Sequence, residues 1–337
     1  MRTPLNEIVA RFVADGSFPL PLQRNESLEI TLLRTLNRRY STVQCVRLST
    51  ANALWTGYVK TGDPVHIAKE YELLSRFHKV FSLAPVQFGV VKPVAHFPQY
   101  SAMITEEASG RDLLAELKLR ASFFPRRHAL EQLKSACRLC GEWLRLFHGA
   151  SGVPDAVFGL SRMRAYNDER LAILEAHPQL GFRRDERLRI LDFFDSLAHQ
   201  VPLEDLGVVG VHGDFSPTNL LISPDRVVVL DFSTYGEGSI YHDVAHLYHH
   251  LDGLGAHYRF TGRTARALSQ SLLLGFDPAL RPVRPLFHLF SIQHAICMLV
   301  EGLRTNGQAK LPSRLLGKHF RRRRLAWLRR TCGLLTD

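Results

Sequence analysis

Three short runs in the first third of the chain, at 28–36, 42–48 and 55–61, are rich in β-branched and apolar residues, and polar stretches separate them. This pattern predicts three antiparallel strands. From Ala68 the apolar positions change to helical spacing, with Glu70, Leu74 and Phe77 on one face. A longer stripe through Leu130, Leu133, Cys137, Cys140, Leu144 and Phe147 steps by three and four residues along a single helix. Residues 152–202 are polar and charged with helical patches, including 188–197, and 287–303 reads as another apolar helix. The expected chain is therefore α+β, with strands first and helices after.

The densest pattern lies at 208–251. Leu220, Leu221 and Ile222 lead into Ser223, Pro224, Asp225 and Arg226, a turn with proline at its second position, and then into Val227, Val228, Val229 and Leu230. Pairing Ile222 with Val227 sets Leu220 opposite Val229 and brings Asn219 and Asp231 together at the open end of a hairpin. An amide oxygen and a carboxylate suit a hard divalent cation, and magnesium takes only one or two protein oxygens. Asp214 lies five residues before Asn219, in the segment His212-Gly213-Asp214. A short loop would hold it at the same mouth, where a carboxylate can orient a hydroxyl and take its proton.

The ordered set is HGD at 212–214, Asn219, a hairpin ending in Asp231-Phe232, and Asp243 on a helical stretch. Its spacing is that of the protein-kinase catalytic and metal loops, and it resembles the aminoglycoside phosphotransferase and choline kinase family. The resemblance spans about residues 28–250 and is most specific over 212–243. It implies a two-lobed protein-kinase-like fold: a small antiparallel β-rich N-lobe over 1–110, a helical C-lobe over 111–312, and a basic terminal helix or tail over 313–337. It also implies ATP and Mg2+ as cofactors, Asn219 and Asp231 as magnesium ligands and Asp214 as the catalytic residue. Lys60, at the end of the third strand, would grip the α- and β-phosphates, held by Glu70, with Glu72 as the competing partner. Tyr100 to Thr105 would form the fifth strand, and Glu106 and Ala108 the hinge that meets adenine through backbone groups, with Gly110 marking the crossing to the second lobe. Asp243 would brace the catalytic segment. The acceptor implied is a hydroxyl of a small molecule or glycan: an aminoglycoside, a choline-like alcohol, a sugar or a lipid-linked precursor.

The chain departs from protein kinases between the first two strands. Residues 37–42 contain no glycine, so close backbone approach to phosphate is not expected there, and Arg38, Arg39 and Ser41 are left to make contact through side chains.

Composition narrows the classes further. With 337 residues and 45% hydrophobic content the chain can bury one large two-lobed core or two small domains. The first eighteen residues interleave polar and acidic positions, and no eighteen apolar residues run together, so neither a signal-peptide core nor a spanning helix is expected. Cys45, Cys137, Cys140, Cys297 and Cys332 show no disulfide-framework spacing, which points to a reducing cytoplasm. Cys137 and Cys140 fall on the buried helical stripe, favouring packing over zinc or redox chemistry. His242 and His246 are one helical turn apart, beside His249 and His250, but nothing is spaced to complete a tetrahedral site, so the stretch reads as a buried helix. The net charge is +11, and 313–337 holds eight basic residues against Asp337 alone. The excess belongs to one tail, so a nucleic-acid-coated surface is not expected. Leu316, Phe320, Trp327 and Leu328 among those arginines suit an anionic membrane surface at the inner face, an acidic partner, or a final helix docked on the second lobe. Two rival functions remain: a catalytically silent kinase-like binding module, and a peripheral membrane or acidic-partner adaptor working through the tail.

Overall fold

A computed structural model of the protein describes residues 5–15, 27–38, 40–122, 125–256, 259–304 and 311–334. An amphipathic helix, α1 (Leu5–Ala14), precedes the three predicted strands, which are β1 (Glu29–Asn37), β2 (Ser41–Ser49) and β3 (Leu54–Gly62). Asp63 caps the next helix, α2 (Pro64–Ser82), by accepting from the N–H groups of Val65 and His66, with Pro64 in the first turn. Then come β4 (Phe88–Val90), β5 (Pro93–Phe97), β6 (Ala102–Glu106) and β7 (Arg111–Asp112). The helical part follows as α3 (Leu113–Arg120), α4 (Arg127–Ser151), β8 (Gly152–Val157), α5 (Leu160–Glu175) and α6 (Arg184–Ala198). Strand β9 (Gly207–Val211), the hairpin β10 (Leu220–Ser223) and β11 (Arg226–Val229), and β12 (Gly236–Ser239) lead to α7 (His242–Asp252), α8 (Gly262–Phe276), α9 (Pro285–Arg304) and α10 (Leu311–Thr331).

The chain divides into two compact units, Met1–Asp112 with Asn219–Thr234, and Leu113–Thr218 with Tyr235–Asp337. The first contains a five-stranded sheet in the order β1-β2-β3-β6-β5. Alternation along β2 and β3 turns Val46, Leu48, Trp55 and Val59 to one face, where Ile8, Val9 and Phe12 of α1 cover them. A second sheet has the order β4-β11-β10-β7. Strand β11 lies parallel to β4, pairing Val227 with Phe88, and β10 lies antiparallel to β7, pairing Leu221 with Asp112. These ladders draw the hairpin into the first unit, whereas the boundary expected at 110 had assigned it to the helical part. Gly110 carries φ +126°, and a Cβ there would come within 2.9 Å of the Ile222 carbonyl oxygen, so the turn beside the hairpin requires glycine.

The second unit is mainly helical, with a small sheet in the order β12-β9-β8. Cys137 and Cys140 are buried on the inner face of α4, as the stripe predicts. Helix α9 has the length and apolarity of a membrane span, yet 67% of its apolar window is buried within the fold, and it serves as a core helix. Leu325 and Leu328 of α10, with Cys332 just beyond it, join a core with Leu171, Leu174, Ile190, Leu191, Ile292 and Ile296. The basic segment is thus a docked helix over its described part; the Leu316 side chain and residues 335–337 lie outside the described residues. Leu328→Ala should cost about 2–5 kcal/mol of stability, read as a lowered urea midpoint, whereas a loss under about 0.5 kcal/mol would show that α10 is not packed there.

Candidate active site

On β3 the alternation that buries Val59 sends Lys60 to the opposite face, towards α2. Its side chain is 12% exposed, and its ammonium donates to both carboxylate oxygens of Glu70, at 2.9 and 2.8 Å, and to Oδ1 of Asp231 at 2.9 Å. Glu70 is buried on the face of α2 that also buries Leu74 and Phe77, while Glu72 is exposed. The helical phase therefore selects Glu70. Burial alone would lower the Lys60 ammonium, but the two carboxylates outweigh it and raise its pKa. Burial raises the Glu70 carboxyl against the pull of Lys60, and for Asp231 Lys60 and Ser233 overcome burial and lower it. Lys60 is held charged, with little freedom.

Asp231 follows β11 with φ +61°, a left-handed conformation that a non-glycine residue adopts at a cost on the order of 1–3 kcal/mol. Two neighbours support it. The Ser233 N–H points at Oδ1 over 3.4 Å, and Phe232 stacks on Phe77 with centroids 5.4 Å apart. The hairpin register is Ile222 with Val227 and Leu220 with Val229, and the Leu230 N–H donates to the Asn219 carbonyl at 2.9 Å. The mouth of the hairpin is thereby closed with Asn219 and Asp231 on either side. An amide and a carboxylate, the latter 40% exposed, are oxygen donors of the kind magnesium takes. Among the described residues no three His, Cys, Asp or Glu form a metal cage, and a magnesium site completed by phosphate and water does not need one.

In the second unit β9 delivers the chain into His212, Gly213 and Asp214. Asp243, in the first turn of α7 and 0% exposed, accepts from the backbone N–H of His212 at 2.6 Å and of Gly213 at 3.0 Å. Burial alone would push this carboxyl up; His148 at 4.0 Å and His242 at 3.2 Å help hold it well below the usual carboxylate range. Gly213 takes φ +83°, which lets both N–H groups converge on one carboxylate. The Asp214 N–H donates to Nδ1 of His212 at 3.3 Å, and Phe215 stacks on Trp143 of α4 with centroids 5.6 Å apart. Half-buried Asp214 stands on a backbone fixed on both sides.

The remaining predicted residues are less engaged. Arg38 is exposed, and its N–H closes a turn on the Ser41 carbonyl at 2.8 Å. Ser41 pairs with Gly62, two positions along the ladder from the pairing of Val43 with Lys60. Arg39 lies outside the described residues. Glu106 commits its carboxylate to Lys92 at 2.9 Å and its N–H to the Lys92 carbonyl, and Ala108 lies half-buried just beyond β6. His246 stacks on His294 with centroids 4.6 Å apart, and its Nε2 meets that of His250 at 3.2 Å. Burial pushes His246 down to about 4 and His250 to about 3, so these rings pack as neutral groups.

Sequence spacing did not single out Asp205, Arg284 or the Lys60–Asp231 contact. Buried Asp205 accepts from the Tyr241 hydroxyl at 2.9 Å and from both branches of Arg284, at 2.7 and 2.6 Å. This anchors the residue that precedes α7, and no local signal links the three.

A strand lysine clamped by a helix glutamate, a hairpin presenting Asn and Asp, and a braced HGD segment define the kinase-like phosphotransferases. The sequence model of the phosphotransferase enzyme family matches residues 67–286, and the chain belongs to that family. Among solved structures it is similar to the amicoumacin kinase hAmiN in complex with AMP-PNP, Ca2+ and Ami, with 14% identity, a TM-score of 0.57 and 96% of each chain covered. It is similar also to APH(2")-IIa in its streptomycin–ATP complex, with 14% identity, a TM-score of 0.55, and 98% of this chain and 96% of that one covered. An ethanolamine kinase of Plasmodium vivax shares 13% identity at a TM-score of 0.54, over 90% of this chain and 82% of its own. These likenesses establish the fold. No curated protein matches the chain by sequence.

Proposed function

We propose that the chain moves the γ-phosphoryl group of ATP, taken as its magnesium complex, to a hydroxyl of a small molecule or glycan. The observation that supports this reading is the Lys60 ammonium fixed between Glu70 and Asp231, an immobilised cation of the kind a nucleotide phosphate needs. Lys60 binds the α- and β-phosphates while Glu70 keeps its side chain extended. Asn219 and Asp231 would hold magnesium, which when bound neutralises charge on the β- and γ-phosphate oxygens. Asp214 orients the acceptor hydroxyl for in-line attack and accepts its proton. Similar folds hold streptomycin with ATP in one case and belong to ethanolamine and glucosamine kinases in others, which supports amino alcohols, aminoglycosides and sugars as the acceptors to try.

Thermal unfolding with and without MgATP tests the nucleotide half of this reading. At a hundred times Kd, binding should add about 2.7 kcal/mol, a rise of several degrees in Tm. No shift at millimolar nucleotide would remove the reading. A second reading, nucleotide binding without turnover, has the tight glycine-free turn at Arg38 to Ser41 in its favour; a MgATP shift with no ADP release across the acceptor panel would select it.

A further inference from the structure

Arg324 stands apart among the inward-facing arginines of α10. Arg321 donates to the Gly302 carbonyl at 2.9 Å, and Arg329 makes a two-branched contact with the Glu186 carboxylate. Arg324 is partly buried, and no carboxylate pairs with it among the described residues; burial pushes its pKa down to about 10, with no neighbouring charge to raise it. A guanidinium withdrawn from water without a counter-charge is costly. Its nearest compensation is the C-terminal end of α7, where a Cβ on Gly253 would stand 3.3 Å from a guanidinium nitrogen, and a helix end supplies only about 0.3–1 kcal/mol.

The same guanidinium lines a pocket of about 170 Å3 with Arg323, Arg330, Trp327 and His249. His249 is only 7% exposed, and its Nε2 is buried with no hydrogen-bond partner among the described residues. Burial, then the charge of Arg324, keeps that ring neutral, so it adds no charge to the pocket wall. Asp252 is the acidic residue of the lining, and its counter-charge comes from Arg266. The volume is well below the roughly 300–1,000 Å3 of drug-sized ligand sites, too small to enclose a nucleotide or an aminoglycoside and large enough for one tetrahedral anion.

We propose that this pocket binds a phosphate monoester group, with Arg324 as the buried anchor, Arg323 and Arg330 at the rim and the neutral His249 in the wall. Three guanidinium groups around a small volume match a dianion and its several acceptor oxygens better than a single carboxylate. The site lies wholly within the second unit and does not depend on the proposed transfer reaction.

Calorimetric titration of inorganic phosphate into the full chain, beside sedimentation with phosphatidylcholine vesicles with and without phosphatidic acid, separates a free ester from a lipid headgroup. The expected result is saturable binding in one arm, weakened at least about tenfold by Arg324→Met and retained in part by Arg324→Lys. If Arg324→Met fails to fold, the surface pair Arg323→Ala and Arg330→Ala should weaken the same binding. Phosphate binding assigns a free ester, and sedimentation only with phosphatidic acid assigns a lipid. No binding in either arm, or equal binding by every folded variant, overturns the site.

Discussion

Asp214→Asn is expected to lower turnover by about 10²–10⁴-fold while leaving MgATP affinity nearly unchanged. The asparagine keeps the shape and some hydrogen bonding of the carboxylate but cannot accept the acceptor's proton. The backbone beneath it should stay in place, because Asp243 binds the N–H groups of His212 and Gly213 and Phe215 is stacked on Trp143. Turnover measured as ADP release, with nucleotide affinity measured separately, reads the two effects apart. Equal, mild losses in both would remove Asp214 from the chemistry.

Asp231→Asn should act in the other direction, weakening MgATP binding by at least about 10–100-fold, since even outer partners of metal ligands cost that much. It also removes one of the two carboxylates on Lys60, while the paired contact with Glu70 remains. The variant should therefore fold, and the loss should appear as a missing MgATP-dependent rise in Tm. A full rise in the variant would show that Asp231 does not hold the metal.

Much of this organisation was readable from local pattern. The first three strands, the hairpin register and the phase of Glu70 against Glu72 follow from periods of two and 3.6, which a single sequence displays. The pairing of β11 with β4 and of β10 with β7 was not readable, because parallel and long-range ladders leave no periodic trace of their partner. For the same reason the spacing of Asp231-Phe232 suggested metal chemistry, while its contact with Lys60 and its positive φ became visible only in three dimensions. The tail left three options open, and the burial of Leu325 and Leu328 settles its described part as a docked helix. The absence of a glycine between β1 and β2 pointed to Arg38 and Ser41, while the backbone bond that joins the two across the turn has no signal in the sequence.

The first unit is discontinuous, since Asn219–Thr234 completes a sheet begun before residue 112. During synthesis, β4 and β7 must wait for more than a hundred further residues before their partner strands emerge. Pairings of such separation slow folding and leave strand edges open in the interval. A fragment ending at 112 would accordingly be an incomplete body with two unsatisfied edges, prone to self-association, and Lys60 would reach Asp231 only late in the life of the nascent chain.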